Sequence, residues 1–233
     1  MNQGLYRRVK DPFRRVLEAS PTLYCATARL KRGRNREVVT RSTDLLVESF
    51  PRSGTTFMIA ELTLAAPSLR IASHVHHQAH VQLAVRYGVP AFVLIREPMA
   101  ACVSATVRLR EQVPFIKMLR RWCEFYEAVE AVPGVTFVSF ESLTTAPNET
   151  VAGVMSIAGL SDRVVKEVSE QEALAEVEAM GIRRRRGERD PLKLSTPTAE
   201  RKAKIEAAAA EFERQGGVLL DRANAIHARI RCL

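Results

Sequence analysis

The sequence predicts an α/β protein with a single domain, in which a mostly parallel central sheet is flanked by helices. Three observations support this prediction. Short apolar runs alternate with amphipathic stretches along the chain, a pattern typical of strands joined by crossover helices. Glycine and proline fall between these segments, where turns are needed. The chain has 233 residues, of which 46% are hydrophobic, and this is enough to bury one sizeable core.

Four short apolar runs are the predicted strands. They occupy residues 44–50, 70–73, 91–95 and 135–140. The segments that follow them predict helices at residues 55–65, 78–87, 98–110, 114–132 and 147–158. Pro98 and Pro147 suit the first turn of a helix, and Pro133 follows a helix end. In such sheets ligands bind beyond the carboxyl ends of the strands, so we expect the connections after the first three strands to surround one crevice.

Residues 1–42 are predicted to form a basic N-terminal segment. They hold eleven Lys or Arg against three Asp or Glu. Apolar residues three to four apart indicate a short amphipathic helix over 5–18, and 30–42 is expected to be an exposed basic loop. The domain itself is placed at 43–233, with a core over 43–160 and a helical C-terminal part.

Positive charge is concentrated in two stretches. The net charge is +9, and residues 183–204 add nine Lys or Arg against three acidic residues to the N-terminal excess. Such patches favour an anionic ligand, an anionic acceptor or a membrane surface, or they simply face solvent. We expect no nucleic-acid partner, because no aromatic residues suited to base stacking interleave with the basic ones.

The cysteines and the apolar runs bear on the compartment. The four cysteines are scattered without paired spacing, which indicates free thiols in a reducing environment. No apolar run approaches the roughly 20 residues that span a bilayer, and the N-terminus lacks the apolar region of a secretory signal. These features predict a cytoplasmic protein, and they leave open whether it forms a homo-oligomer.

The stretch VESFPRSGTTF, residues 47–57, indicates a strand that ends in a tight turn opening a helix. Gly54 lets the backbone approach an anion, and the N–H groups at a helix start attract negative charge. Further groups for an anion are the Arg52 cation and the hydroxyls of Ser53, Thr55 and Thr56. This P-loop-like turn lacks the Gly-Lys-Ser/Thr ending that holds a triphosphate with magnesium, which disfavours an ordinary kinase or NTPase.

A second motif, IREPMAACVS, follows the third predicted strand. It places Arg96 at the strand end and Ser104 eight residues further on. If the helix begins at Pro98, Ser104 lies about two turns into it. Arg96 and Ser104 are therefore expected to reach one phosphate.

Together the PRSGTT turn and the R-x-P-x5-S segment resemble the sulfotransferases that use 3′-phosphoadenosine 5′-phosphosulfate (PAPS) and release 3′-phosphoadenosine 5′-phosphate (PAP). In that family the first motif holds the 5′-phosphosulfate and the second holds the 3′-phosphate. The residues that the resemblance assigns to the 5′ end are Arg52, Ser53, Gly54, Thr55 and Thr56. It also implies that Arg96 and Ser104 bind the 3′-phosphate and that Phe57 stacks near the adenine.

Later parts of the chain extend the resemblance. The basic, glycine-containing stretch 182–190 is similar to the loop that closes over the 3′-phosphate, with Arg185, Arg186 and Gly187 as the matching residues. A plain charged run on the surface is the alternative interpretation. Phe140 stands where the family has a tyrosine, and so lacks its hydroxyl.

Histidines cluster between the second and third predicted strands. Four of the five lie in residues 74–80, and His74 precedes Arg96 by 22 residues, an interval that resembles that of the catalytic histidine in the cytosolic branch of the family. Imidazole is suited to take the proton of an acceptor hydroxyl near neutral pH. His74 is therefore the predicted base.

The other histidines and two glutamates provide alternatives. His76 and His80 have a spacing that zinc ligands use, but no third ligand is near, and we predict no metal. His76, His77 and His80 are expected to be solvated or to contact the acceptor. Glu61 and Glu141 are alternative bases, because related carbohydrate and tyrosyl-protein sulfotransferases use a glutamate.

The predicted function is transfer of the sulfuryl group of PAPS to a hydroxyl or amine of a small-molecule, glycan or lipid acceptor, without a metal. Arg52 stands where cytosolic members carry a catalytic lysine, and arginine is familiar there in the tyrosyl-protein and many bacterial branches. Two alternatives are a divergent P-loop kinase for a small molecule and a basic module that binds nucleic acid or an anionic surface.

Overall fold

The protein has an α/β fold built on one all-parallel sheet. The computed structural model describes residues 20–30, 37–109, 112–184 and 199–232. Its four strands are β1 (Leu45–Ser49), β2 (Ile71–Ser73), β3 (Ala91–Ile95) and β4 (Val135–Ser139). They pair in the order β2-β1-β3-β4. The predicted fold class, a single α/β domain with a parallel central sheet between helices, is confirmed.

Helices precede the first strand, connect the strands and follow the last one. They are α1 (Pro21–Leu30), α2 (Thr55–Ala65), α3 (Gln78–Arg86), α4 (Pro98–Arg108), α5 (Phe115–Glu130), α6 (Phe140–Thr145), α7 (Pro147–Ile157), α8 (Glu170–Arg184) and α9 (Ala199–Ile230). The predicted helices at 55–65, 78–87, 98–110, 114–132 and 147–158 correspond to α2, α3, α4, α5 and α7. The long α9 is interrupted at Gly217, whose φ is 45°.

Strand register places the motif-bearing connections at one edge of the sheet. Val47 of β1 lies beside Ser73 of β2, and Ser49 lies beside Leu94 of β3. Because these strands are parallel, the chain leaves all three at the same edge. The predicted crevice beyond the carboxyl ends of β1, β2 and β3 therefore has the expected topology.

The core has two layers, one on each face of the sheet. Leu46 and Val93 belong to a cluster with α1, α3, α4, α5 and α9, whereas Val47 and Phe92 belong to a cluster with α2, α7 and α8. Alternate strand residues point to opposite faces, so a short strand that is apolar throughout feeds both layers. The backbone at the sheet edge is thereby supported from both sides.

The structure corrects three local predictions. In the predicted exposed loop 30–42, Val38 and Val39 are buried, because this part of the chain packs over β2 and α3: the Ser73 N–H donates to the Glu37 carbonyl at 2.7 Å. Residues 31–36 and the predicted helix 5–18 lie outside the described residues. The fourth strand ends at Ser139, because α6 begins directly after it. Pro21–Leu30 forms a helix that the sequence analysis did not identify.

Across the described residues, no helix combines the length and the apolar character needed to cross a bilayer. The four cysteines are free; Cys25, Cys102 and Cys123 are buried and Cys232 is exposed.

Candidate functional site

The anion turn, residues 50–54, links β1 to α2 at the carboxyl edge of the sheet. Arg52 and Gly54 both have left-handed backbones, with φ of 74° and 93°. A Cβ atom at position 54 would lie 3.0 Å from Cδ2 of Phe140, so both the backbone angle and the space require glycine. Gly54 is the N-cap of α2, and its own side chain cannot cap the helix. The positive end of the α2 dipole is thus presented at this edge of the sheet.

The hydroxyls around the turn have different surroundings. Thr55 and Ser49 share a short hydrogen bond between their side chains, which ties the start of α2 to the end of β1. Ser53 is buried and has no well-directed hydrogen bond among the described residues, although it lies near the Tyr126 hydroxyl. Phe57 is partly buried and packs against the core on the α2 side of the sheet.

Arg52, Ser104 and Arg96 lie together where the two motifs meet. The Arg52 Nε donates to the Ser104 hydroxyl at 3.1 Å, and the Arg96 Nη1 donates to the Arg52 carbonyl at 2.9 Å. The Arg96 guanidinium also lies 4.3 Å from the centre of the Phe140 ring, a cation–π arrangement. The two motifs, 40 or more residues apart in the chain, therefore form one cationic cluster.

The charge of Arg96 is not neutralised by a direct ion pair among the described residues. Burial lowers the pKa of Arg96, and the nearby carboxylates of Glu97 and Glu141 oppose that shift. Those carboxylates have other partners: Glu97 accepts from Met99 N at the start of α4, and Glu141 accepts from the Ser139 hydroxyl. Because an arginine stays protonated even when partly buried, Arg96 supplies a positive charge that an anion can bind.

His74 contacts the turn from β2. Its Nε2 lies 3.1 Å from Oγ1 of Thr56, and its Nδ1 lies 2.7 Å from Oγ of Ser73. His74 has a left-handed backbone, with φ of 62°, which redirects the chain as it leaves the strand. The predicted base thus lies beside a residue predicted to hold the 5′ end of the nucleotide.

A buried carboxylate that the sequence analysis missed organises this part of the site. Glu48 on β1 is 0% exposed. Its Oε1 accepts from Val75 N at 2.7 Å and from His80 Nδ1 at 2.8 Å, and its Oε2 accepts from His76 N at 3.0 Å. Burial raises the pKa of Glu48, but the hydrogen bonds that it accepts from His80 and Val75 N hold it below its usual value. Glu48 therefore fixes the path of the chain after β2.

The structure corrects the interpretation of His80. This residue is fully buried; its Nδ1 donates to Glu48 and its Nε2 accepts from Val39 N at 2.8 Å. His80 is a structural residue, and with both ring nitrogens engaged it is not a zinc ligand. No group of three His, Cys, Asp or Glu within the described ranges could hold a metal ion. His77 caps α3, accepting from Ala79 N, and stacks on Tyr24 with ring centres 3.8 Å apart.

The two glutamates considered as bases lie on α2 and α6. Glu61 is 1% exposed on α2, which packs against α8, and neither carboxyl oxygen has a hydrogen-bond partner among the described residues. Burial raises the pKa of Glu61 to about 7, with a smaller effect of Glu172. Glu141 lies near Arg96.

The C-terminal loop predicted over 182–190 is described only in part. Residues 182–184 belong to α8, which ends at Arg184, so these residues are helical. Arg185, Arg186 and Gly187 lie outside the described residues.

Comparison with known proteins agrees with this architecture. The sequence matches no protein-family model and no curated protein. Its fold is similar to the crystal structure of the mouse sulfotransferase SULT7A1 complexed with PAP, with a TM-score of 0.50 and 12% identity over 88% of this chain and 94% of that one. The chain has a sulfotransferase-like fold. Identity this low supports the fold, and the activity has to be argued from the site.

Proposed function

We propose that the protein is a PAPS-dependent sulfotransferase, acting on a hydroxyl or amine of a small-molecule, glycan or lipid acceptor. The observation that carries the proposal is the junction of the two motifs. Arg52, Arg96 and Ser104 form one cluster beside the start of α2, and His74 contacts Thr56 in the first turn of α2. The cluster is suited to bind phosphate, and His74 can accept a proton.

The residues present fit a nucleotide whose ribose carries phosphate groups at the 3′ and 5′ positions. The 5′ end suits the anion turn, where the N-terminus of α2 and the buried Ser53 hydroxyl supply donors. The 3′-phosphate suits Arg96 and Ser104, since an arginine without a carboxylate partner binds phosphate strongly. Arg52 lies between the anion turn and the 3′-phosphate site, and its side chain can bind the 5′-phosphosulfate by turning away from Ser104. PAPS bound there supplies an activated sulfuryl group.

The roles of the side chains follow from charge and geometry. Arg52 stabilises negative charge that develops on the departing phosphate, an electrostatic contribution that is large in a preorganised site. His74 takes the acceptor proton through Nε2 once Thr56 turns its hydroxyl toward the nucleotide. Arg96 and Ser104 orient the nucleotide, and positioning supplies much of the remaining rate enhancement.

Nucleotide binding tests this proposal directly. The full chain is heated with PAP, with 5′-AMP, or with ATP and magnesium, and the melting temperature is measured. PAP is expected to stabilise most, because 5′-AMP lacks the 3′-phosphate that Arg96 binds. Arg96→Ala should reduce the PAP effect to that of 5′-AMP, whereas Arg121→Ala, on the exposed surface of α5, should leave it unchanged.

The same experiment separates the alternatives. Greater stabilisation by ATP and magnesium than by PAP would favour a kinase and contradict the proposal. Equal effects of PAP and 5′-AMP on the wild type would remove the assigned 3′-phosphate site. Transfer itself is then followed with PAPS labelled in its sulfuryl group and a pool of phenols, alcohols, amines and sugars, with mass detection of the product.

A further inference from the structure

We propose that His76 is a second proton acceptor in the acceptor site, next to His74. This inference rests on the proposed sulfuryl transfer and adds a catalytic residue to it. The ring of His76 lies edge-on to that of His74, with ring centres 5.6 Å apart. Its side chain is 27% exposed, so a bound molecule can reach it.

Hydrogen bonding determines which nitrogen of His76 carries the proton. The Nδ1 lies 2.8 Å from the backbone carbonyl oxygen of Ser49. A carbonyl oxygen only accepts, so Nδ1 must be the donor and carry the hydrogen. In the neutral ring, Nε2 then holds the lone pair. It makes no hydrogen bond to any other described residue, and is therefore available to a hydroxyl or amine of the acceptor.

The other histidines of the 74–80 segment are engaged differently. His74 has a hydroxyl at each ring nitrogen, Thr56 at Nε2 and Ser73 at Nδ1. His80 is buried with both nitrogens bonded. Among the histidines of the segment, His76 thus combines a fixed tautomer, an accessible ring and an open Nε2.

The backbone holds His76 in this position. Its φ is 52°, an angle that residues other than glycine and asparagine rarely adopt. The His76 N–H is bonded to the buried Glu48, whose Oε2 also lies 3.7 Å from the Nδ1. The buried carboxylate holds the His76 backbone, and the Ser49 carbonyl fixes the orientation of the ring.

The proton transfer that follows is balanced. An acceptor oxygen forms a bond to the sulfur of PAPS, the bond from that sulfur to the phosphate oxygen breaks, and its electron pair leaves on PAP. For an acceptor bound against His76, the proton moves to Nε2 of His76 and not to His74. The His76 ring becomes an imidazolium and returns the proton to solvent.

His76→Asn tests this role with little change in local structure. Asparagine tolerates a left-handed backbone, and its amide can donate to the Ser49 carbonyl, but it is not a base. The matched control is His77→Asn, because asparagine caps helices well and His77 serves as the α3 cap. Formation of PAP from PAPS is measured with water alone and with the acceptor pool, beside the melting-temperature shift with PAP.

The expected result for His76→Asn is a loss of about 100-fold in the turnover of those acceptors in the pool that bind against His76, since general bases typically contribute 10²–10⁴. PAP should stabilise this variant as much as the wild type, and His77→Asn should turn over at the wild-type rate. Wild-type turnover in His76→Asn overturns the inference alone. Failure of PAP to stabilise the wild type more than 5′-AMP overturns the proposed function itself. Binding of PAP without any conversion of PAPS to PAP counts against a proton acceptor at His76.

Chemical modification gives a readout that does not depend on the variant folding. Diethyl pyrocarbonate acylates imidazole nitrogens that carry an accessible lone pair, and mass spectrometry locates the modified residue. In the wild type, His76 should be modified early and the buried His80 should not. Loss of PAP formation from PAPS should parallel modification of His76. Absence of modification at His76 would contradict an open Nε2 and overturn the inference.

Discussion

Arg52 donates from its Nε to the hydroxyl of Ser104 at 3.1 Å, so a residue of the anion turn contacts a residue well inside α4. The sequence assigned these two residues to opposite ends of one nucleotide. Their contact shows that the two ends of the site adjoin, with Arg52 between them. The left-handed backbone of Arg52 holds the side chain in that position.

Replacing Arg52 with glycine separates its charge from its backbone. Glycine removes the cost of the left-handed backbone, about 1–2 kcal/mol, which stabilises the fold. The greater entropy of glycine in the unfolded chain destabilises the fold by about 1 kcal/mol. We therefore expect the free energy of unfolding to change by less than about 1 kcal/mol in urea titrations. Turnover of PAPS should fall about 100-fold, because the cation at the departing phosphate is lost. Unchanged turnover in Arg52→Gly would show that Arg52 is not that cation.

Gly54 is expected to be intolerant of any side chain. Gly54→Ala places a Cβ 3.0 Å from the Phe140 ring at a φ of 93°, whereas Gly134→Ala has a similar φ of 80° and open space. Overpacking costs about 1–3 kcal/mol beyond the backbone term. The free energy of unfolding, measured by urea titration, should fall by about that much more in Gly54→Ala than in Gly134→Ala. Equal losses would mean that Phe140 moves aside.

Glu48→Gln should destabilise the fold and remove an acid-sensitive contribution to stability. The glutamine amide has only one oxygen that can accept, so donors such as Val75 N lose their partners. This loss should lower the free energy of unfolding by about 3 kcal/mol. The pKa of Glu48 in the folded protein lies below the usual 4.5. Its contribution is therefore complete above pH 4.5 and is lost as the pH falls through the folded-state pKa. Wild-type stability should decline over that window more than that of Glu48→Gln, and parallel curves would contradict the assignment.

The contribution of Glu61 to stability depends on pH with the opposite sign. Burial raises its folded-state pKa to about 7, so the folded protein retains a proton that the unfolded chain loses above about pH 4.5. Wild-type stability should fall relative to Glu61→Gln between pH 4.5 and 7 and then level off, by about 1 kcal/mol or more. Urea titrations at pH 5, 6, 7 and 8 measure this difference. If the two proteins respond identically to pH, Glu61 is not a buried acid.

Much of the fold follows from local pattern. Apolar runs such as Ala91–Ile95 are short and bounded by turn residues, which favours buried strands, and Pro98 and Pro147 mark helix starts that the structure reproduces. The predictions failed where tertiary contacts override local composition. The 37–42 stretch looked exposed because it is polar and charged, but Val39 is buried where its N–H bonds to His80. Because 41 positions separate the two residues, no local sequence pattern indicates this contact.

The order of amino acids was sufficient to identify the α/β class, the glycine-containing turn after β1 and the arginine and serine motif after β3, because each depends on short-range spacing. Only the folded chain decided how the ionisable groups divide between structure and chemistry. Local sequence does not show whether a glutamate within a strand is structural, and it does not distinguish the four histidines within seven positions from one another. Burial and hydrogen-bond geometry distinguish them: Glu48 and His80 are enclosed and mutually bonded, whereas His74 and His76 lie at the edge of the sheet, where parallel strands bring distant segments together.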